Sequence, residues 1–218
     1  MTDVETREPA AAPQAGRLRK GWRPWRSALV AVIIVLGLPA VGIGGWVAWL
    51  HSFGNLHVVE AGRLYRSAQL DGRDLRSVIA ADGIRSIINL RGSEGNAPWY
   101  REEIATSSAA GVQHFDFPMS AEAEPDPATL ARLVSLLREA PEPILVHCKD
   151  GADRSGLAAA LFELFVMHRP LAEAQSQLSF YYGHFPWLGS PTAAMDETLQ
   201  AVAAGGGELG RAATGGSP

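Results

Sequence analysis

Between Ala28 and Leu50 the chain runs for 23 residues without a charged side chain. A helix of that length extends about 35 Å, enough to cross a hydrocarbon core of about 30 Å. Arg17, Arg19, Lys20, Arg23 and Arg26 precede the run. Trp22 and Trp25 lie at one end and Trp46 and Trp49 at the other, where aromatic rings favour a membrane interface. A cleaved signal peptide has a shorter apolar region, about 7–15 residues, and no clean A-x-A site follows this run. A buried core helix would not carry such flanks. The pattern predicts a retained single-pass anchor over residues 28–50. Pro39 and the glycines at 37, 42, 44 and 45 weaken a helix in water, yet both residue types are tolerated in membrane helices. Their spacing gives no tight G-x-x-x-G dimerisation face across Gly37 and Gly45.

Charge orients the run. Residues 1–50 hold six Lys/Arg against three Asp/Glu, a balance of +3, and residues 51–218 hold thirteen against twenty, a balance of -7. No Lys or Arg follows the run until Arg63. The positive-inside rule therefore puts the N-terminus in the cytoplasm and the rest of the chain across the membrane. The Ala/Gly/Arg-rich composition points to a bacterial inner membrane, with the main domain periplasmic or extracellular. The negative balance excludes a chain-wide basic surface, so no nucleic-acid partner is expected. Cys148 is the only cysteine, which excludes an intramolecular disulfide framework and any all-cysteine zinc site. One cysteine also suits an oxidising compartment, since no wrong intramolecular disulfide can form. The expected organisation is a cytoplasmic basic tail over 1–27, disordered through its first 16 residues, the anchor over 28–50, one domain over 51–204 and a Gly-rich flexible tail over 205–218.

Within the domain, strands and helices alternate. Short strands are expected at 56–60 and 64–66 around a turn at Ala61–Gly62. Asp71 caps a helix to Asp82 that Gly83 stops. Residues 85–90 read as a buried strand, 100–110 as a helix, and 112–118 as an alternating strand. Asp126 followed by Pro127 opens a helix whose Leu130, Leu133, Leu136 and Leu137 share a face. Residues 143–147 form a short apolar strand, 155–168 an apolar and central helix, and two more helices span 171–182 and 191–203. Phe180, Tyr181, Tyr182, Phe185 and Trp187 are expected to serve packing rather than form a binding surface. Alternation of this kind gives an α/β fold, a mostly parallel sheet covered on both faces. Its ligand site lies beyond the carboxyl ends of the strands.

At such an end stands His147-Cys148-Lys149-Asp150-Gly151-Ala152-Asp153-Arg154-Ser155-Gly156. A curled loop turns successive backbone N–H groups inward as a nest for an anion. The following helix adds its free N–H groups and the positive end of its dipole. Arg154 supplies a planar fork matched to two phosphate oxygens, and Gly151 permits a backbone turn that a side chain would obstruct. The donors that attract phosphate also stabilise a thiolate on Cys148, placed for in-line attack on phosphorus. Ser155 is positioned to ease departure of the sulfur in a second, hydrolytic step.

H-C-x-x-G-x-x-R-S-G resembles the signature of the cysteine-dependent protein tyrosine and dual-specificity phosphatases. Gly62-Arg63-Leu64-Tyr65-Arg66-Ser67, Gly83-Ile84, and Ile88-Asn89-Leu90-Arg91 with Glu94 are similar to the compact bacterial members. The likeness spans Asn55 to His168. It implies a dual-specificity-phosphatase-like sheet, preceded here by the transmembrane helix. It implies Cys148 as nucleophile, Arg154 as the phosphate-binding and transition-state group, Lys149, Asp150, Gly151 and Ala152 as the cradle, and Ser155 as the aid to breakdown of the intermediate. For the general acid there are two candidates. Asp153, in C-x-D-G-x-D-R, resembles the proposed acid of myotubularin and some bacterial tyrosine/lipid phosphatases and ranks first. Asp126 stands where standard members carry their loop aspartate, but it also reads as an N-cap. Asp116 falls in a strand. His147 reads equally as a loop support or a core histidine. Arg66 and Arg91 are candidate substrate-binding groups at the pocket border, with structural ion pairing as the alternative. No H-x-x-x-H spacing exists, so neither a metal nor another cofactor is expected.

The reading is a membrane-anchored phosphatase. Its alternative is a catalytically silent module that binds phosphorylated ligands, against which the intact thiol, arginine and serine count. Arsenate reduction needs further thiols, and a rhodanese-like sulfurtransferase resembles a shorter Cys-to-Arg spacing than the five residues here. The expected partners are the lipid bilayer and a phosphorylated protein or phospholipid, in that order. Lys149 resembles lipid phosphatases, while Asp150, Asp153 and the -7 balance oppose an anionic surface.

Overall fold

The computed structural model describes residues 24–205. The expectations for the N-terminal tail, Trp22, the basic residues 17–23 and the tail from 206 onward lie outside the described residues. The chain divides into two compact units at Ile43/Gly44. In the first, helix α1 (Pro24–Ser52) begins and displays Leu29, Val35, Leu36, Leu38 and Val41 to its surroundings. A helix apolar on every side belongs in a protein core or a membrane. Residues 27–50 are long and apolar enough to cross one. Pro39 sits inside α1 without ending it.

The second unit, from Gly44, holds a five-stranded sheet in the order β1-β2-β5-β3-β4. The strands are β1 (His57–Glu60), β2 (Leu64–Ser67), β3 (Ser86–Asn89), β4 (Gln113–Asp116) and β5 (Ile144–His147). Only β1 is antiparallel, paired to β2 across the Gly62 turn, while β2, β5, β3 and β4 run parallel. Every residue of β2, β3 and β5 is buried, as expected of parallel strands covered on both faces. Their side chains alternate between two cores. Leu64, Ile88, Ile144 and Val146 face one, with α4 (Pro127–Glu139), α5 (Asp153–Phe165) and α7 (Ala194–Ala204). Tyr65, Ile87 and Leu145 face the other, with Leu75 and Val78 of α2 (Gly72–Asp82). Helix α3 (Pro98–Ala109) packs beside α2 and β4.

Local signals act as their chemistry requires. Asp71 accepts hydrogen bonds from the N–H groups of Arg73 and Asp74 to cap α2, and Gly83 ends it in the left-handed region (φ 65°). Asp126 caps α4 in the same way, with Pro127 following. Two expectations need correction. The helix expected over 171–182 is only α6 (Leu171–Gln175), followed by a 3-10 turn at Phe180–Tyr182. It stops because the Gln177 carbonyl is drawn to the Arg66 guanidinium, 2.7 Å away. The helix expected over 191–203 opens as a separate 3-10 turn at Pro191–Ala193, capped by Ser190. The aromatic group after α6 does not pack inside: Phe180, Tyr181, Phe185 and Trp187 are exposed, and only Tyr182 is covered, by Arg66. The rings pack on one another and on Trp46 at the surface instead.

Candidate active site

The parallel register places Ser67, His147, Asn89 and Asp116 in one row at the carboxyl edge of the sheet. Beyond β5, in the middle of that row, the loop from Cys148 to Ala152 leads into α5.

The loop's shape follows from where its carbonyls go. Lys149 O accepts from Gln69 N (3.1 Å), Asp150 O from Asn55 Nδ2 (2.9 Å), and Gly151 O and Ala152 O from Arg66 Nη2 (2.8 and 2.9 Å). Four consecutive carbonyls thus face away from the loop's interior. In a trans peptide the next N–H points opposite to the carbonyl. The N–H groups of residues 150–153 therefore line the inner side. One of them is seen doing so: Gly151 N–H donates to Cys148 Sγ at 3.3 Å. Gly151 is buried with φ 73°, and a Cβ there would stand 2.6 Å from Ala68 N. The position admits only glycine. No side chain caps α5, so its first N–H groups remain for an anion.

Cys148 is buried on the floor of this bowl. Arg154, the second residue of α5, anchors Nη1 to the carbonyls of Leu90 (3.2 Å) and Met119 (3.3 Å). Its buried Nε has no hydrogen-bond partner among the described residues. A buried charged donor without an acceptor is costly unless a ligand supplies one. Ser155 is fully buried beside the loop and donates from Oγ to Ser67 O at 3.3 Å. Lys149 and Asp150 stand exposed on the lip, and Ala152 is buried.

The two candidate acids differ. Asp126 is exposed and both its oxygens are occupied, by Thr129 N–H (2.9 Å) and Thr129 Oγ1–H (2.7 Å). Those bonds hold its carboxyl below the ordinary carboxylate range. Asp153 lies in the first turn of α5 and accepts from His184 Nδ1 at 2.7 Å. His184 is fully buried, and its Nε2 donates to Asp196 Oδ2, also at 2.7 Å. Burial alone would lower the imidazole's pKa, but hydrogen bonds and charge from Asp153 and Asp196 outweigh it and hold the ring above its ordinary 6.5. Asp116, at the end of β4, bonds Asn89 Nδ2 and the Tyr100 hydroxyl.

Arg66, expected at the pocket border, is instead fully buried behind the loop. Its guanidinium fans out to Gly151 O, Ala152 O, Gln177 O and Gln177 Oε1 and stacks over the Tyr182 ring at 4.0 Å. It cannot reach solvent or substrate, so it braces the cradle. Burial lowers its pKa to about 10. Arg91 is partly exposed, stacked on Trp99 at 3.5 Å, and bonds the Gln69 side chain at 3.2 Å. Gln69 in turn holds Lys149 O, so Arg91 borders the loop.

His147 is buried, with Nε2 at 3.2 Å from Glu103 Oε1, which also meets His114 Nε2 at 2.7 Å. Gln69 Nε2 donates to Glu103 Oε2 at 2.5 Å. Burial would raise the Glu103 pKa, but these donors hold it well below the usual carboxylate range. Glu103, Asn55, Gln69, His184 and Asp196 are participants that sequence reasoning missed. The one local sign was at Asn55, next to Gly54. Among the described residues no group of three or more His, Cys, Asp or Glu is arranged to hold a metal ion.

Residues 52–184 match the family model described as DSP-PTPase phosphatase fused to NAD+ kinase. Among solved structures, the chain is similar to P. aeruginosa TpbA, crystallised as a cysteine-to-serine variant with phosphotyrosine, at 20% identity and a TM-score of 0.58, covering 75% of this chain and 92% of that one. It is similar to the core catalytic domain of the PP-IP phosphatase SIW14 from S. cerevisiae at 18% identity and 0.54, covering 70% and 93%. For PTPMT1 the values are 18% and 0.53, covering 69% and 98%. A complex of PTPMT1 with PI(5)P is also similar. No curated protein matches in sequence.

Proposed function

The chain belongs to the DSP-PTPase phosphatase family and is a tyrosine/dual-specificity-type phosphatase, and from that premise we propose that it hydrolyses phosphate monoesters through a phosphocysteine on Cys148. The observation that carries the reading is the pairing of Cys148 Sγ, already facing the inward Gly151 N–H, with the unpartnered Nε of Arg154. Phosphate oxygens would take the N–H groups of residues 150–153 and the Arg154 fork. The thiolate attacks phosphorus, a P–S bond forms, and the P–O bond to the leaving group breaks. The leaving oxygen takes its proton from Asp153, next to Arg154. Asp153 keeps one carboxyl oxygen outside its bond to His184, whereas Thr129 occupies both oxygens of Asp126. Water then attacks phosphorus, the P–S bond breaks, and the water's proton returns to Asp153. The departing sulfur is eased by Ser155, whose hydroxyl must first turn from Ser67 O. The products are an alcohol and inorganic phosphate. His184 and Asp196 position the Asp153 carboxylate, and Arg66 and Asn55 hold the cradle's shape. Arg91 is proposed to meet the substrate beyond the phosphate.

We place residues 28–50 across a bilayer, the N-terminus in the cytoplasm and the catalytic domain, 51–204, on the other side. The substrate is a phosphotyrosine protein or a phosphoinositide; TpbA is known with the first group and PTPMT1 with the second. The test is phosphate release by the full chain in bilayer discs, wild type against Cys148→Ser, on phosphotyrosine peptides and phosphoinositides. Turnover is expected in the wild type alone, and the favoured panel names the substrate. A folded wild type inert on both panels would favour the silent binding module instead.

A further inference from the structure

An exposed aromatic face lies where the apolar run of α1 ends. Tyr181 (53% exposed), Phe185, Trp187 (54%) and Leu188 (95%) follow one another along the segment after α6. Tyr181 packs against Trp46, ring centroids 5.7 Å apart, and Trp46 stacks on Trp49, which touches Phe53. Trp49 and Phe53 are themselves exposed. A hollow of about 290 Å³, lined by Trp49, Leu50, Phe53, Asn55, Leu56 and His57, opens in the same region. Between Phe180 and Leu188 the only titratable side chains besides two tyrosines belong to His184, which is buried.

The same face is bolted to the catalytic loop. Asn55, five residues past Leu50, donates from one amide nitrogen to Asp150 O (2.9 Å) and to Tyr182 O (2.8 Å). Gly54 O receives the Ala68 N–H, and Ala68 N lies against Gly151. The lip of the loop and the aromatic segment therefore share one bracket, and that bracket is the chain leaving α1.

We propose that this face docks on the interfacial layer of the lipid bilayer and sets the catalytic loop at the level of the headgroups. The proposal rests on residues 28–50 spanning the membrane. If the apolar run ends at Leu50, Trp46 lies about 6 Å inside that end at 1.5 Å per residue. The interfacial layer is itself about 5–8 Å deep on each side. The run exceeds the core by about 5 Å, so Trp46 lies near the core's edge and a ring packed on it stands at the boundary with that layer. Tyrosine and tryptophan are the residues that favour that layer, where one part of the ring is apolar and another wet. An uncharged face fits the domain's negative balance, which gives no electrostatic attraction to anionic lipid. Docking should be indifferent to salt.

The test reads docking without turnover. Leu188→Cys is made in the full-length Cys148→Ser chain, labelled with an environment-sensitive fluorophore and reconstituted in phosphatidylcholine vesicles. Ala80→Cys, on the exposed side of α2, is the control. The label at 188 is expected to shift to the blue and to be quenched by nitroxide-bearing lipid, while the label at 80 is quenched by aqueous iodide. Iodide quenching at 188 in an incorporated chain would overturn the docking and leave the span intact. Protection at 188 from both quenchers would assign the face to a second copy of the chain and overturn the docking. A chain that fails to incorporate would overturn span and docking together. In the active chain, Trp187→Ser with Leu188→Ser should lower turnover of a phosphoinositide in vesicles about tenfold through lost orientation. Soluble p-nitrophenyl phosphate turnover should stay unchanged. Equal loss on both substrates would make the segment part of the catalytic scaffold and overturn the proposal, while a wild type inert on the soluble substrate would fault the phosphatase reading instead.

Discussion

Arg66→Met asks whether a buried cation shapes the catalytic cradle. The guanidinium is fully buried, and burial lowers its pKa to about 10. Keeping it charged there costs about 3 kcal/mol, at roughly 1.4 kcal/mol per pKa unit. Against that stand four hydrogen bonds, at 2.7, 2.9, 2.8 and 2.9 Å. Bonds to a charged donor contribute about 1.5–3 kcal/mol each. Methionine removes the cost but leaves the carbonyls of Gly151 and Gln177 buried without a donor, while Ala152 O keeps the Gly156 N–H. Removing one member of a buried charged set typically costs about 3–5 kcal/mol, the lower part of the roughly 3–9 kcal/mol that the difference of these terms spans. We expect a loss of about 4 kcal/mol, read from the shift in urea midpoint of the full chain in detergent. Arg66→Lys should lose more than half of that, because one ammonium cannot serve the same acceptors in a plane. Turnover should fall in both, since the Gly151 carbonyl loses its anchor and its peptide is free to rotate. An Arg66→Met chain within about 1 kcal/mol of wild type, and active, would refute the bracing argument.

Other expectations follow from the same geometry. Gly151→Ala should be inactive even where it folds, because φ 73° and the 2.6 Å approach to Ala68 N leave no room for a Cβ; wild-type turnover would refute the loop's geometry. His184 has a folded pKa above its unfolded 6.5, so its contribution is complete below about 6.5 and is lost as pH rises through the folded value. His184→Gln should therefore flatten stability against pH in that window, and an unchanged slope would show that His184 does not contribute in this way. Asp153→Asn should remove the limb of the pH–rate profile that reports the acid and lower kcat by about 10²–10⁴, whereas Asp126→Asn should leave the profile alone. The reverse pattern would reassign the acid.

Much of the site was legible because its signals are local. An apolar strand, a glycine three residues past the cysteine and an arginine six past it compel a strand–loop–helix, whatever surrounds them. Asp71, Gly83, Asp126 and Pro127 work within one turn of chain, and they were readable for the same reason. What could not be read depends on which long-range neighbour arrives. An arginine in a strand suggests a surface, and nothing near Arg66 announces that Gln177 and Tyr182 will close over it. Glu102 and Glu103 are adjacent and chemically alike, yet only Glu103 turns inward to meet His114 and His147. His184 joins Asp153 and Asp196 across 31 and 12 residues. The aromatic segment packs ring on ring, as its composition suggests, but does so at the surface, which composition does not reveal.

The central claim is a covalent phosphoryl group on Cys148, and rapid acid quenching tests it most directly. The full chain in bilayer discs would be mixed with a ³²P-labelled phosphate monoester and quenched within the first turnover. The account predicts label on the protein that maps to Cys148, accumulates in Ser155→Ala as breakdown slows, and is absent from Cys148→Ser. Undiminished turnover by Cys148→Ser, or turnover by the wild type with no label bound to protein in Ser155→Ala, would contradict it.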